Sequence, residues 1–253
     1  MELKIEAQTL ILEPKEETYR DENLAIEVPY QVFLNDKYTA SSMLLPVGLK
    51  EFAVGFLFGQ GYISIHDEVK EIYICQEGSI AVYADIESIE PKEMIVTSGC
   101  GGTGRIAREM LKDIFNKVQE YTITLQDIRQ FITEVLHYSS LQQETHCVHT
   151  CGFWSEDKTK LCYEDIGRHN AVDKIIGAIL LNKLSPNGAI YTTGRLTSDM
   201  VLKCAQLGIP IVMSRTAPSS LALEIARRAN ITLIGYARPD RVNIFHAPWR
   251  IIQ

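Results

Sequence analysis

The spacing of apolar positions changes partway along the chain. Up to about residue 92, short alternating stretches surround one helical pattern. "EVPYQVFLND" and "KYTASSMLLP" flank Asn35-Asp36, a hairpin turn, and "GLKEFAVGFLFGQGYI" places apolar residues at helical spacing. "EIYICQEGSIAVYADI" reads as two strands around Glu77-Gly78. This predicts a small α+β domain over residues 1–92. After Pro91 the order becomes strand, glycine loop, helix. "EMIVTSGCGG" leads into "RIAREMLKDIFNKVQE", where Ile106, Met110, Ile114 and Val118 recur every four residues. A second helix, "TLQDIRQFITEVLHYSS", opens on Thr124 as N-cap with Asp127 three positions later. A strand near "HCVHTCGFW", a loop at "SEDKTK" and a strand "LCYEDI" follow. The rest alternates: helix "NAVDKIIGAILLNKL", strand "GAIYTTG", helix "SDMVLKCAQLG", strand "IPIVMSR", helix "SSLALEIARRAN", strand "ITLIGYARP". Such alternation predicts a three-layer α/β domain over residues 93–253 with a largely parallel sheet.

Composition narrows the class. No apolar run approaches the roughly 20 residues of a membrane span, and the acidic start "MELKIEAQTLILEPKEE" does not resemble a signal peptide. A cytoplasmic protein with no membrane contact is expected. The six cysteines, at 75, 100, 147, 151, 162 and 204, are too sparse for a disulfide scaffold, so reduced thiols are expected. The net charge of -7 is unevenly spread: Arg195–Gln253 holds seven Arg and one Lys against three acids, a net +5, which leaves -12 on the first 194 residues. A basic quarter on an acidic chain points to a local anion site, not to a nucleic-acid surface, which wants a broad basic face.

Six segments carry chemistry. In "TSGCGGTGR", Cys100 has no neighbouring side chain to shield it, and the amides and dipole of the following helix favour its thiolate. It reads as a nucleophile or sulfur carrier; the competing reading is a small residue in a tight turn. The loop lacks the Gly-Lys-Ser/Thr ending of a nucleotide-hydrolysing loop. "THCVHTC" invites a zinc reading through His146, Cys147, His149 and Cys151, but no second ligand pair of standard spacing accompanies it, so no metal is expected and His149 is taken as a catalytic or ligand-orienting residue. "YEDIGRHNAVDK" crowds Arg168 and His169 with acids and amides at a strand end, where parallel sheets meet ligands. "TTGRLTSDM" and "SRTAPSS" each run a strand into hydroxyls and one arginine before a helix, so Arg195, Ser214, Arg215 and Thr216 would converge with capping hydroxyls on an anion. "GYARPDR" adds Arg238 and Arg241.

Taken together, "SGCGG", "EDIGRHNAVDKIIG", "TTGRLTSDMV", "SRTAPSSLALEIA" and "TLIGYARPDRVNIF" resemble, from about residue 20 to the C-terminus, the formate dehydrogenase accessory sulfurtransferase family, FdhD. The resemblance implies a homodimer with a cytidine-deaminase-like larger domain. It implies transfer of persulfide sulfur from a cysteine desulfurase to the molybdenum or tungsten bis-guanine-dinucleotide cofactor, which activates formate dehydrogenase. Cys100 falls at the family's persulfide cysteine, and Tyr236, Ala237, Arg238, Pro239, Asp240 and Arg241 fall at its cofactor-contacting segment. The zinc signature of deaminases is not found. Where many members carry a second cysteine this chain has Thr103, so a vicinal dithiol route is not expected, and Cys147 or Cys151 is left as a candidate second thiol. The rival reading is a chaperone that holds the cofactor for insertion, with Cys100 a packing residue.

Overall fold

The computed structural model describes residues 2–64, 68–75, 77–86 and 118–253. The Cys100 loop, the 92/93 boundary and most of the helix expected to follow Arg105 lie outside the described residues; Val118–Glu120, at the end of that expected helix, are not helical.

The first two strands, β1 (Lys4–Glu13) and β2 (Glu16–Ala25), pair as an antiparallel ribbon absent from the expectations above. Next, β3 (Val28–Leu34), β4 (Lys37–Leu44), β5 (Glu68–Cys75) and β6 (Ser79–Asp85) form a four-stranded sheet in the order β4-β3-β6-β5. The hairpin expected at Asn35-Asp36 is there. Both residues take left-handed φ, 46° and 63°, as a two-residue turn between twisted strands requires. Asn35 also accepts from Ala84 N and donates to Ala84 O, both at 3.0 Å, which locks the turn against β6. The expected helix is α1 (Leu49–Gly59).

The larger part comprises β7 (Ile123–Thr124), α2 (Leu125–Tyr138), α3 (Ser140–Thr145), β8 (His149–Ser155), β9 (Lys160–Asp165), α4 (Arg168–Leu181), β10 (Gly188–Thr192), α5 (Ser198–Leu207), β11 (Ile211–Ser214), α6 (Ser220–Arg228), β12 (Thr232–Gly235), β13 (Asn243–His246) and β14 (Ile251–Ile252). As expected, Thr124 caps α2: its hydroxyl accepts from Asp127 N at 3.0 Å. Six strands make one sheet in the order β13-β12-β11-β10-β8-β9. That sheet is mixed, not largely parallel. Only β10, β11 and β12 run parallel as neighbours, while β8 is antiparallel to both β10 and β9, and β13 to β12. The cause is local: the "SEDKTK" loop is too short for a crossover, so β8 and β9 can only form a hairpin.

Alternating side chains serve the two faces of this sheet. Ala189, Tyr191, Ile211, Met213 and Ile234 pack on Ile128, Phe131, Ile132 and Val135 of α2. Cys151, Phe153, Ile190, Val212 and Leu233 join the buried residues of α4, α5 and α6 on the other face. Helix, sheet and helix are the expected three layers.

The small sheet is joined to this assembly through its helix. Gly55 of α1 and Gly177 of α4 bring two backbones together: a Cβ added at Gly55 would lie 1.8 Å from Asp173 O, and one at Gly177 would lie 1.8 Å from Glu51 O. One apolar core therefore runs from Val32 and Ile80 through Phe52 and Leu57 to Ile175, Ile176 and the six-stranded sheet. Because α4 begins at Arg168, this contact also fixes the position of the candidate site.

Candidate anion site at the strand ends

The three parallel strands end side by side, and hydrogen bonds stitch their ends together. Arg215 N donates to Thr192 O at 3.1 Å, and Ser214 Oγ donates to Gly194 O at 2.5 Å, joining the ends of β10 and β11. Tyr236 N donates to Thr216 O at 3.0 Å and Ala237 N to Ser214 O at 2.8 Å, joining β12 to the same row. Beneath them, the wholly buried Tyr191 donates its hydroxyl to Ala237 O at 3.2 Å. Because β8 is antiparallel to β10, its first residue, His149, sits at this edge too. Thr193 holds it there: Thr193 Oγ1 accepts from Thr150 N at 3.1 Å and lies 3.3 Å from His149 Nδ1.

The structure places the expected site residues in two roles. Ser214 is wholly buried and Ala237 is buried, so both act as framework; Thr216, half-buried, accepts from Tyr236 N and uses its hydroxyl on Gly194 O. Arg195, Arg215, Tyr236, Arg238, Pro239, Asp240 and Arg241 are exposed. Arg238 and Arg241 close a tight turn through mutual backbone bonds of 2.7 and 3.2 Å, and Arg241 Nε donates to Asn243 Oδ1 at 3.0 Å. His149, Arg168 and His169 are half-buried at the inner edge. Burial, reinforced by the charges of Arg168, His169 and Arg195, pushes the His149 imidazole below its ordinary pKa. Gly194 is required here because a Cβ would lie 2.6 Å from Arg168 Cβ. Ser219 caps α6, accepting from Ala222 N at 3.2 Å, whereas the Thr197 side chain makes no capping bond to α5.

The segment "YEDIGRHNAVDK" divides along the same line. Asp165, wholly buried, accepts from Gly167 N at 3.0 Å, Asn170 Nδ2 at 2.9 Å and Leu45 N at 3.2 Å, and pairs with Lys174 Nζ at 2.6 Å. Lys174 donates further to Leu45 O and Glu164 O. These residues bolt the small sheet to the start of α4. Asp173 is committed elsewhere, to the buried Lys203 at 2.6 and 2.9 Å. Arg168 and His169 stand at the inner edge of the site.

Of the "THCVHTC" segment, Cys147 is exposed ahead of β8, while Cys151 is wholly buried on the α4 side of the sheet. Burial pushes the Cys151 thiol well above its ordinary pKa, and raises Cys162 and Cys204 to about 12. A buried thiol that stays protonated is a poor nucleophile, which counts against Cys151 as the second thiol considered above. Among the described residues no group of three His, Cys, Asp or Glu could hold a metal ion. Likewise, no described helix is long and apolar enough to cross a membrane. Two residues that sequence reasoning passed over matter here: Thr193, which seats His149, and Asp199, which pairs with His169 at 2.5 Å.

The chain is 32% identical to the sulfur carrier protein FdhD of Wolinella succinogenes, over 98% of this chain and 87% of that one. It is 33% identical to the sulfur carrier protein FdhD of Sulfolobus acidocaldarius, over 90% of both. It also matches a crystal structure described as that of a formate dehydrogenase accessory protein from Desulfotalea psychrophila, with a TM-score of 0.89 and 50% identity over 99% of this chain and all of that one. The FdhD/NarQ family model matches residues 25–252, and the chain belongs to that family.

Proposed function

We propose that this sulfur carrier takes its sulfur from a cysteine desulfurase and delivers it to the molybdenum or tungsten bis-guanine-dinucleotide cofactor that formate dehydrogenase needs for activity. In the first step the Cys100 thiolate attacks the outer sulfur of the donor's persulfide. The donor's S–S bond breaks, its electron pair leaves on the donor cysteine, and Cys100 holds the persulfide. The cofactor's phosphates are gripped at the strand ends by Arg195, Arg215, Arg238 and Arg241, with His149, Arg168 and His169 at the inner edge. The site works in the cytoplasm, in a homodimer whose larger domain is of the cytidine-deaminase type.

One observation carries this reading: the polar residues of three separate sequence segments meet at one row of parallel strand ends, in a family whose members are named sulfur carriers. The test is intact-mass analysis after incubation with a cysteine desulfurase and cysteine. One added sulfur atom, mapped to Cys100, is expected. In cells, Cys100→Ala is expected to abolish formate dehydrogenase maturation while the purified variant still binds guanine nucleotide. Undiminished maturation in that variant would leave the chaperone reading instead.

A further inference from the structure

One hydroxyl at the strand ends stands between two nitrogens. Thr193 follows the last residue of β10 and extends the pairing with β8 by one residue: Thr193 N donates to Thr150 O at 3.0 Å, and Thr193 Oγ1 accepts from Thr150 N at 3.1 Å. The same oxygen lies 3.3 Å from His149 Nδ1, and both side chains are half-buried.

The hydrogens available decide which way the contact with His149 runs. A hydroxyl has one hydrogen and two lone pairs, and a backbone N–H can only donate. Thr150 N therefore occupies a lone pair of Thr193 Oγ1, and the hydroxyl hydrogen is left to donate. Among the described residues its acceptor is His149 Nδ1. The reverse arrangement, with hydrogen on Nδ1, would set two donors on one oxygen and leave the hydroxyl hydrogen without an acceptor there. The surroundings favour a neutral ring: burial and the charges of Arg168, His169 and Arg195 all act against a charged His149. A neutral imidazole has one nitrogen that accepts and one that carries the hydrogen. With Nδ1 accepting, Nε2 carries it, and Nε2 makes no hydrogen bond among the described residues. Such a ring adds a donor to an arginine-rich edge without adding another like charge.

We propose that Thr193 is a positioning residue: its hydroxyl donates to His149 Nδ1 and holds the ring hydrogen on Nε2, from which it is donated to a phosphate oxygen at the strand ends. This rests on the reading of the strand ends as a phosphate site. A purely structural Thr193, needed only to tie β8 to β10, would alter stability without setting the tautomer of the ring.

Two measurements on the full chain test this, both at about pH 8, above the ordinary imidazole range. Ring-nitrogen NMR, with the His149 signals identified by their loss in His149→Ala, reads which nitrogen carries the hydrogen. Wild type is expected to show hydrogen on Nε2 and an accepting Nδ1. In Thr193→Val the Nδ1 signal should move and a population with hydrogen on Nδ1 should emerge, while Thr193→Ser should keep the wild-type pattern. Calorimetric affinity for guanosine diphosphate should fall roughly 3–10-fold in Thr193→Val, as for loss of one hydrogen bond, and recover in Thr193→Ser. In a His149→Ala background, Thr193→Val should weaken binding little further, because the two residues act as one unit. Hydrogen on Nδ1 in wild type, unchanged ring signals in Thr193→Val, or a full further loss of affinity in the His149→Ala background overturns the proposal. Should wild type not bind guanosine diphosphate, the phosphate-site reading falls, and donation to phosphate falls with it. The NMR measurement then still decides whether Thr193 sets the His149 tautomer.

Discussion

Replacing Gly177 by alanine tests whether the backbone contact of α1 with α4 joins the two sheets. On an isolated helix the change should stabilise by about 1 kcal/mol, because glycine is the poorer helix former. In this chain the new Cβ would sit 1.8 Å from Glu51 O. An ordinary contact is about 3.4 Å or more, so the helices must part by roughly 1.5 Å, through a core that contains Phe52, Leu57, Ile175 and Ile176. The obstacle is backbone, which no rotamer change relieves. Overpacking typically costs about 1–3 kcal/mol, and with backbone on both sides the upper end applies. Set against the propensity gain, the net loss is about 2 kcal/mol, or roughly 4–8 °C in Tm for a chain of this size. Thermal and urea unfolding measure it. Gly55→Ala meets Asp173 O at the same 1.8 Å, and one separation of the helices accommodates both methyl groups, so the double variant should cost less than the sum of the singles. Equal or raised stability in Gly177→Ala, as propensity alone would give, would refute the reasoning.

Lys203→Met leaves the buried Asp173 carboxylate without its ammonium and is expected to cost about 3 kcal/mol by denaturant unfolding; Asp173→Asn added to it should recover part of that loss. The thiol environments predict a labelling order. Brief iodoacetamide treatment of native protein near pH 8, followed by peptide mass mapping, should modify Cys75 and Cys147, while Cys151, Cys162 and Cys204 should react only after unfolding. Finally, folding disfavours the charged form of His149, so the unfolded chain binds more protons and stability rises with pH through the imidazole range. Below about pH 6.5 wild type should lose stability. His149→Gln should flatten that slope, leaving the contribution of His246, which is shifted in the same direction.

Where periodicity was strong, the chain's elements were legible. The repeated strand-helix units after residue 165 fold as read: each strand there is buried along its whole length, and α6 turns one stripe, Ala222, Ile225 and Ala226, to the core. Strand direction was not legible from alternation alone. It depended on the short loop between β8 and β9, which permits only a hairpin. The ribbon β1–β2 escaped notice because it buries little: Leu10, Leu12 and Tyr19 are all more than 40% exposed, so its sequence shows no core-facing period.

The candidate site was legible as a set of residue types but not as a division of labour. A sequence motif records that Asp165, Arg168, His169, Asn170, Asp173 and Lys174 stand together; it does not say which are turned inward. Helical geometry decides that. Asp165 and Lys174 satisfy the backbone of Leu45 and Asn170 donates to Met43 O and Asp165, whereas Asp173 faces Lys203. Asp199 was hidden for a related reason. An acid in the first turn of a helix is the ordinary complement to its dipole, and nothing local distinguishes it from one that holds a histidine of another helix. The strand-end site is therefore built at a distance: the close approach of α1 and α4 sets where Arg168 and His169 stand, and Asp199 of α5 meets His169 from the next helix. For that reason, a change in the helix contact should reach the site without touching it. Gly177→Ala should weaken guanosine diphosphate binding in protein that remains folded, and unchanged affinity would show that the start of α4 is held by Asp165 and Lys174 alone.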